Sequence, residues 1–221
     1  MLFRSLHPSE NPPSHPELLD LLAKELTAHQ FDVQWLVREL AQTQAYARSS
    51  VLPASADQVP EALFLAAKER PLSAEQLARS FLLAVGEHER VVEGKGWAEG
   101  EKKTTFKEFE KIFLAAFAND AKEPELAVNP TLKAALFLRN NDQVLWALQP
   151  RPGNLLARVA ALKEPAQVAD ELFHAILSRA PTADESATLE KFLAKHSADR
   201  PKALGHLAWA MLSSMEFFTN H

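Results

Sequence analysis

Ser73-Ala74-Glu75-Gln76-Leu77-Ala78-Arg79-Ser80-Phe81-Leu82-Leu83-Ala84-Val85-Gly86 is the stretch that decides the fold class. Ser73 and Gln76 stand at the spacing of a capping box. In that motif a hydroxyl accepts from the third backbone N–H of a helix, and the third side chain accepts from the N–H of the capping residue. Leu77, Phe81, Leu82 and Val85 then recur at steps of three and four, which places them on one helical face. Gly86 can end the helix, because glycine enters the left-handed region without a steric penalty.

The same grammar recurs on both sides. Ser14 with Glu17, and Pro16 between them, opens a helix over 15–29 that carries Leu18, Leu19, Leu22 and Leu26. Asp32 caps a second helix bearing Trp35, Leu36, Leu40 and Tyr46 toward Arg48, and the short joint makes the pair an antiparallel hairpin. Residues 49–71, with Pro53, Pro60 and Pro71, read as a connector with a short helix over 61–68. Thr105 with Glu108 opens a helix through Phe109, Ile112, Phe113 and Phe117. A helix from Thr131 is expected to bend at Asn140-Asn141 and to stop before Pro150. The remainder reads as helices over 155–162 and 165–178, one capped by Thr182 with Glu185, and a last one over 201–218.

No run alternates as a half-buried strand does, and no fixed-period repeat is present. The expected fold is therefore all-α, an irregular bundle of about eight or nine helices built from antiparallel hairpins. The 221 residues read as one helical domain over 1–221, with a possible division into 1–120 and 121–221. Four of the six glycines fall among mixed charges over 86–103, which reads as a mobile loop. Their spacing fits neither the Walker nor the dinucleotide pattern.

Composition removes whole classes of chemistry. The absence of cysteine excludes disulfides, thiolate metal sites, cysteine nucleophiles and covalently attached haem within this chain. A net charge of −5 with interspersed signs argues against a nucleic-acid partner. No apolar run has the roughly 20 residues needed to insert across a bilayer, so a soluble chain is expected.

The candidate binding residues are the polar cluster Asn11, Ser14, His15, Glu17 and Asp20, together with Trp97. Glu17 and Asp20 share a helix face, which suits metal or acid–base work, but early-turn carboxylates also answer the helix dipole. Trp97 lies in the glycine-rich loop, where it is either an exposed contact residue or a local plug. The other histidines form no i, i+4 pair, so no metal and no cofactor is expected, and no catalytic residue can be assigned. Trp35, Phe81, Phe113, Phe117, Trp146, Trp209, Phe217 and Phe218 fall on helices and read as core.

Six segments carry a family resemblance, and the first is the most specific. They are Asn11-Pro12-Pro13-Ser14-His15-Pro16-Glu17-Leu18-Leu19-Asp20, Gln42-Thr43-Gln44-Ala45-Tyr46-Ala47-Arg48-Ser49-Ser50, and Arg70-Pro71-Leu72-Ser73-Ala74-Glu75. The later three are Leu136-Phe137-Leu138-Arg139-Asn140-Asn141, Ser178-Arg179-Ala180-Pro181-Thr182 and Leu212-Ser213-Ser214-Met215-Glu216-Phe217. Together they resemble the planctomycete-type domain of unknown function DUF1553, with departures at Ser80 and Ser213, where an acidic residue and an asparagine would be expected. The resemblance implies a domain from large, commonly exported proteins, placed beside a second domain of unknown function and sometimes a cytochrome c segment. It implies a periplasmic or exported location if the chain is excised from such a protein, and a cytoplasmic one if it is complete. The expected function is a non-enzymatic interaction or scaffold module that docks on a partner protein or domain, such as the companion domain. The alternative is part of an exported enzyme whose site a missing N-terminal domain completes.

Overall fold

The computed structural model describes residues 12–50, 63, 65–67, 69–93, 105–118 and 132–220. The chain divides into two compact units, 1–69 and 70–220. The fold is all-α: the described residues form twelve helices and one pair of two-residue strands.

The first unit holds α1 (Pro16–Ala28) and α2 (Val33–Ala41). Asp32 caps α2 as expected, accepting from the Trp35 N–H at 3.0 Å. The Ser14 box does not form. Pro16 takes the first helical position and His15 becomes the capping residue, so Glu17 stands one place too early to reach back. α2 is also shorter than expected, because Gln42 to Ala47 leave the helix as turns. The joint carries two successive non-glycine residues in the left-handed region, Gln30 and Phe31, and the Trp35 ring stacks on His29 at 3.5 Å.

The second unit begins with β1 (Arg70–Pro71), then α3 (Ala74–Val85), α4 (His88–Val92), α5 (Phe106–Phe117), α6 (Leu132–Asn140) and α7 (Asp142–Ala147). It continues with α8 (Leu155–Ala161), α9 (Pro165–Leu177), α10 (Ala183–Lys195), α11 (Arg200–Leu212), α12 (Met215–Phe218) and β2 (Thr219–Asn220). The boxes of Ser73, Thr105 and Thr182 all close reciprocally. The bend expected at Asn140-Asn141 is a true break, since the Asn141 side chain accepts from the N–H groups of Gln143 and Val144 and starts α7. The helix expected over 201–218 likewise splits, because Ser214 caps α12 through the Phe217 N–H. The stretch read as a mobile loop over 86–103 is helical in its first part, where α4 forms and Glu87 and Val91 are buried. Its later residues, Trp97 among them, lie outside the described residues.

α3 is the central helix, packed chiefly on α5 and α9, while α11 lies on α8, α9 and α10. Phe81, Phe109 and Phe113 are fully buried, with ring centroids 4.9 to 5.9 Å apart. The chain of rings runs on through Phe117 and Phe137, and burial of each ring contributes about 2 kcal/mol. Of the other aromatic residues expected in the core, Phe217 is buried, whereas Trp35, Trp146, Trp209 and Phe218 are half-buried. β1 and β2 pair antiparallel, Arg70 opposite Asn220 and Pro71 opposite Thr219.

Candidate functional site

The polar cluster expected at the start of the chain lies on the first unit, at the start of α1. Ser14, His15, Glu17 and Asp20 are all exposed around the first turns of α1, and Asn11 lies outside the described residues. Among the described residues no group of three or more His, Asp or Glu is placed to hold a metal ion. Glu17 sits where the positive end of the helix dipole favours a carboxylate.

Three other features of the second unit hold side chains in defined places. The first is an ionic knot joining two segments far apart in sequence. Ser178 ends α9 in the left-handed conformation, turning the next residue, Arg179, toward α10 and α12. The Arg179 guanidinium donates to both carboxylate oxygens of Glu185, at 2.9 and 2.7 Å, and to both of Glu216. It also lies 5.1 Å from the centroid of Phe173. Hydrogen bonds from Arg179, aided by Thr182, hold the Glu185 carboxyl down at about 2, and the two carboxylates push the Arg179 guanidinium higher still. All five donors of this arginine have partners inside the domain or point along the knot, so its role is to hold α9, α10 and α12 together.

The second feature is the fully buried Glu87. Gly86, at φ 75°, turns the chain out of α3 and comes so close to the start of α8 that an added Cβ would stand 3.4 Å from the Asn154 Cα. Glu87 is thereby brought under the turn between α7 and α8, where Arg90 Nε lies 3.1 Å and Arg151 Nη2 3.2 Å from its oxygens. These are ion pairs without hydrogen-bond alignment. Burial pushes the Glu87 carboxyl up, against the opposing pull of Arg151, Arg90 and Asn154. Around it side chains lace the turn. Asn154 donates to Gln149 O at 2.8 Å and accepts from the N–H groups of Arg151 and Ala157, while Arg90 donates to Pro152 O at 2.9 Å. The Arg151 guanidinium lies over the Trp146 ring.

The third feature borders that turn. A groove of about 920 Å³ opens between α7, α10 and α11. Leu145, Leu148, Phe192 and Trp209 form its apolar floor, and Arg139, Lys202 and His206 are the ionisable residues that line it. Gly205 makes the close crossing possible, since a Cβ there would meet the Leu148 carbonyl oxygen at 3.0 Å. Trp209 satisfies its indole N–H internally on Leu138 O at 3.0 Å, which leaves its ring as an apolar surface. The floor is accessible, with Leu145 41% exposed.

Sequence reasoning missed the groove because its parts come from four segments and each apolar residue reads as core. One signal was available: Gly205 interrupts an otherwise strong helix, and a glycine there costs about 1 kcal/mol unless a neighbouring backbone needs the space.

An all-α domain with laced turns and an open apolar groove is the class that fold and site define. The family model described as PSD1, protein of unknown function (DUF1553), matches residues 7–193, and the chain belongs to that family. No curated protein and no solved structure matches the chain. No helix among the described residues is long and apolar enough to cross a membrane.

Proposed function

We propose that this chain is an interaction module that docks a partner protein in the groove between α7, α10 and α11. The observation that carries the reading is the groove itself: a large accessible apolar floor beside the close crossing at Gly205 and bordered by the turn that Asn154 laces. Apolar surface left open on a rigid frame is the ordinary signature of a binding face, because its burial supplies the free energy of association. The knot at Arg179 and the buried Glu87 then serve as supports that keep the groove's walls in place.

A photo-crosslinking side chain at Ala210, a lining residue, tests this reading against the same group at exposed Lys163. Crosslinks from Ala210 to one sequenced segment of one protein, abolished by Leu145→Asp, are the expected outcome. Equal capture from Lys163, or capture that survives Leu145→Asp, would overturn it. Leu145 is accessible enough for that substitution to leave the fold intact, which circular dichroism checks.

A further inference from the structure

We propose that the groove takes an acidic amphipathic helix, with apolar anchors at i, i+3, i+4 and i+7 facing the floor and carboxylates along its flanks. This rests on the reading above that the groove docks a protein. Two independent observations carry it.

The first is the distribution of charge. Arg139 comes from α6 and Lys202 from α11, so a permanent cation reaches the groove from each of two helices, and His206 stands one turn from Lys202 on the same face of α11. No Asp or Glu lines it. The chain as a whole carries 29 acidic against 24 basic residues, so a groove lined by basic groups alone departs from the composition of the molecule. Asp199, the carboxylate closest to Lys202 in sequence, is committed to capping α11 through the Lys202 N–H at 3.3 Å. Among the described residues none of Arg139, Lys202 or His206 belongs to an ion pair. Unpaired cations around an apolar floor attract an anionic partner and repel a basic one.

The second is the backbone chemistry of the walls. Apart from Leu148, Gln149 and Pro150 in the turn after α7, the lining residues sit on α6, α7, α10 and α11, whose backbone N–H and C=O groups are largely bonded within the helices, and Gln149 is the lining residue with an uncharged amide side chain. An extended peptide laid on such a floor would bury its N–H and C=O groups without partners, at a cost for each. A helix satisfies them internally and presents only side chains. The volume of about 920 Å³ fits a row of large apolar anchors, with the helix body lying above the rim.

The test uses the full chain and two synthetic helical peptides of one length, carrying leucine at the anchor positions and either Glu or Lys elsewhere. Fluorescence anisotropy at about 50 mM salt reads the binding. The Glu peptide is expected to bind at least roughly tenfold tighter than the Lys peptide, and Arg139→Glu with Lys202→Glu should reverse that preference. If the double variant fails to fold, Lys202→Gln with His206→Gln should still weaken the Glu peptide severalfold. Equal binding of both peptides, abolished by Leu145→Asp, overturns the acidic assignment and leaves the docking reading standing. Absence of binding by either peptide at about 1 mM, with crosslinking at Ala210 intact, overturns the helix assignment. Decanoate saturating the groove when neither peptide binds would make the occupant a small anionic amphiphile and overturn it as well. Peptide binding that survives Leu145→Asp removes the groove from consideration altogether.

Discussion

α1 and α3 are nearly the same length and both are amphipathic, yet α3 buries seven of its twelve residues and α1 buries none of its thirteen. Leu18, Leu19 and Leu21 on α1, and Val33, Val37 and Leu40 on α2, are exposed, whereas Phe81, Leu82 and Val85 on α3 are sealed. Apolar periodicity shows that a helix has a face to cover and leaves open what covers it. Most helix stability in proteins comes from that cover, since a helix of this length is marginal alone.

The largest expected effect probes this contrast directly. Leu82→Ala should lower the unfolding free energy by about 3 kcal/mol through loss of burial and the cavity left behind. Leu26→Ala on α1, half-buried at most, should cost less than about 1 kcal/mol. Urea denaturation of both variants decides, and equal costs would mean that the apolar face of α1 is covered in solution.

Next in size, Asn154→Ala should cost about 2 kcal/mol, because one buried side chain both caps α8 and bonds Gln149 and Arg151. Thermal melting reads the loss. A cost near zero would show that the turn is held by Glu87 and its arginines alone.

Two carboxylates of the larger unit should then show opposite pH signatures. Glu185 is held down to about 2, so its stabilisation is complete above the unfolded value near 4.5 and is lost as pH falls from there toward 2. Arg179→Met should therefore cost about 1 kcal/mol at neutral pH, a figure reduced for solvent screening, and progressively less as the solution is acidified. Glu87 is raised, so the folded state holds its proton more tightly than the unfolded one. Its ionised form costs stability above the raised value, and that cost disappears as pH falls toward 4.5. Wild type should thus gain on Glu87→Gln over that acid interval. Melting temperatures of the three proteins between neutral pH and pH 3 measure both trends.

The smallest effect is expected at Ser213, whose buried hydroxyl lacks a hydrogen-bond partner among the described residues. Ser213→Ala should be neutral or stabilising by about 0.5 kcal/mol, read by the same denaturation curves.

What the sequence disclosed follows from the range of each interaction. Capping boxes and apolar stripes act within one or two turns, so the helices opened by Ser73, Thr105 and Thr182 could be placed closely from the residues alone. The breaks at Asn141 and Ser214 were harder, because a cap inside an apolar run competes with continuation of the helix and tertiary packing decides. The Ser14 box failed through a one-residue displacement imposed by Pro16. Long-range assembly was not legible at all. Arg179 and Glu216 lie 37 residues apart and Trp209 and Leu138 71 apart, and no local pattern marks them as neighbours. The candidate groove belongs to that second class, and so do the supports beneath it.

The two short strands have a consequence for how this architecture can be handled. Arg70 and Asn220 are paired across β1 and β2, and the Leu72 N–H bonds to Phe218 O at 2.8 Å, so the larger unit enters and leaves through one doorway. A body whose two chain ends are neighbours can be spliced as a cassette into a surface loop of a host without stretching either. It can equally be re-threaded, with its ends joined by a short linker and a new opening cut at an exposed bend such as Lys163-Glu164. Such a rewired chain would keep every helix while changing the order in which a ribosome delivers them.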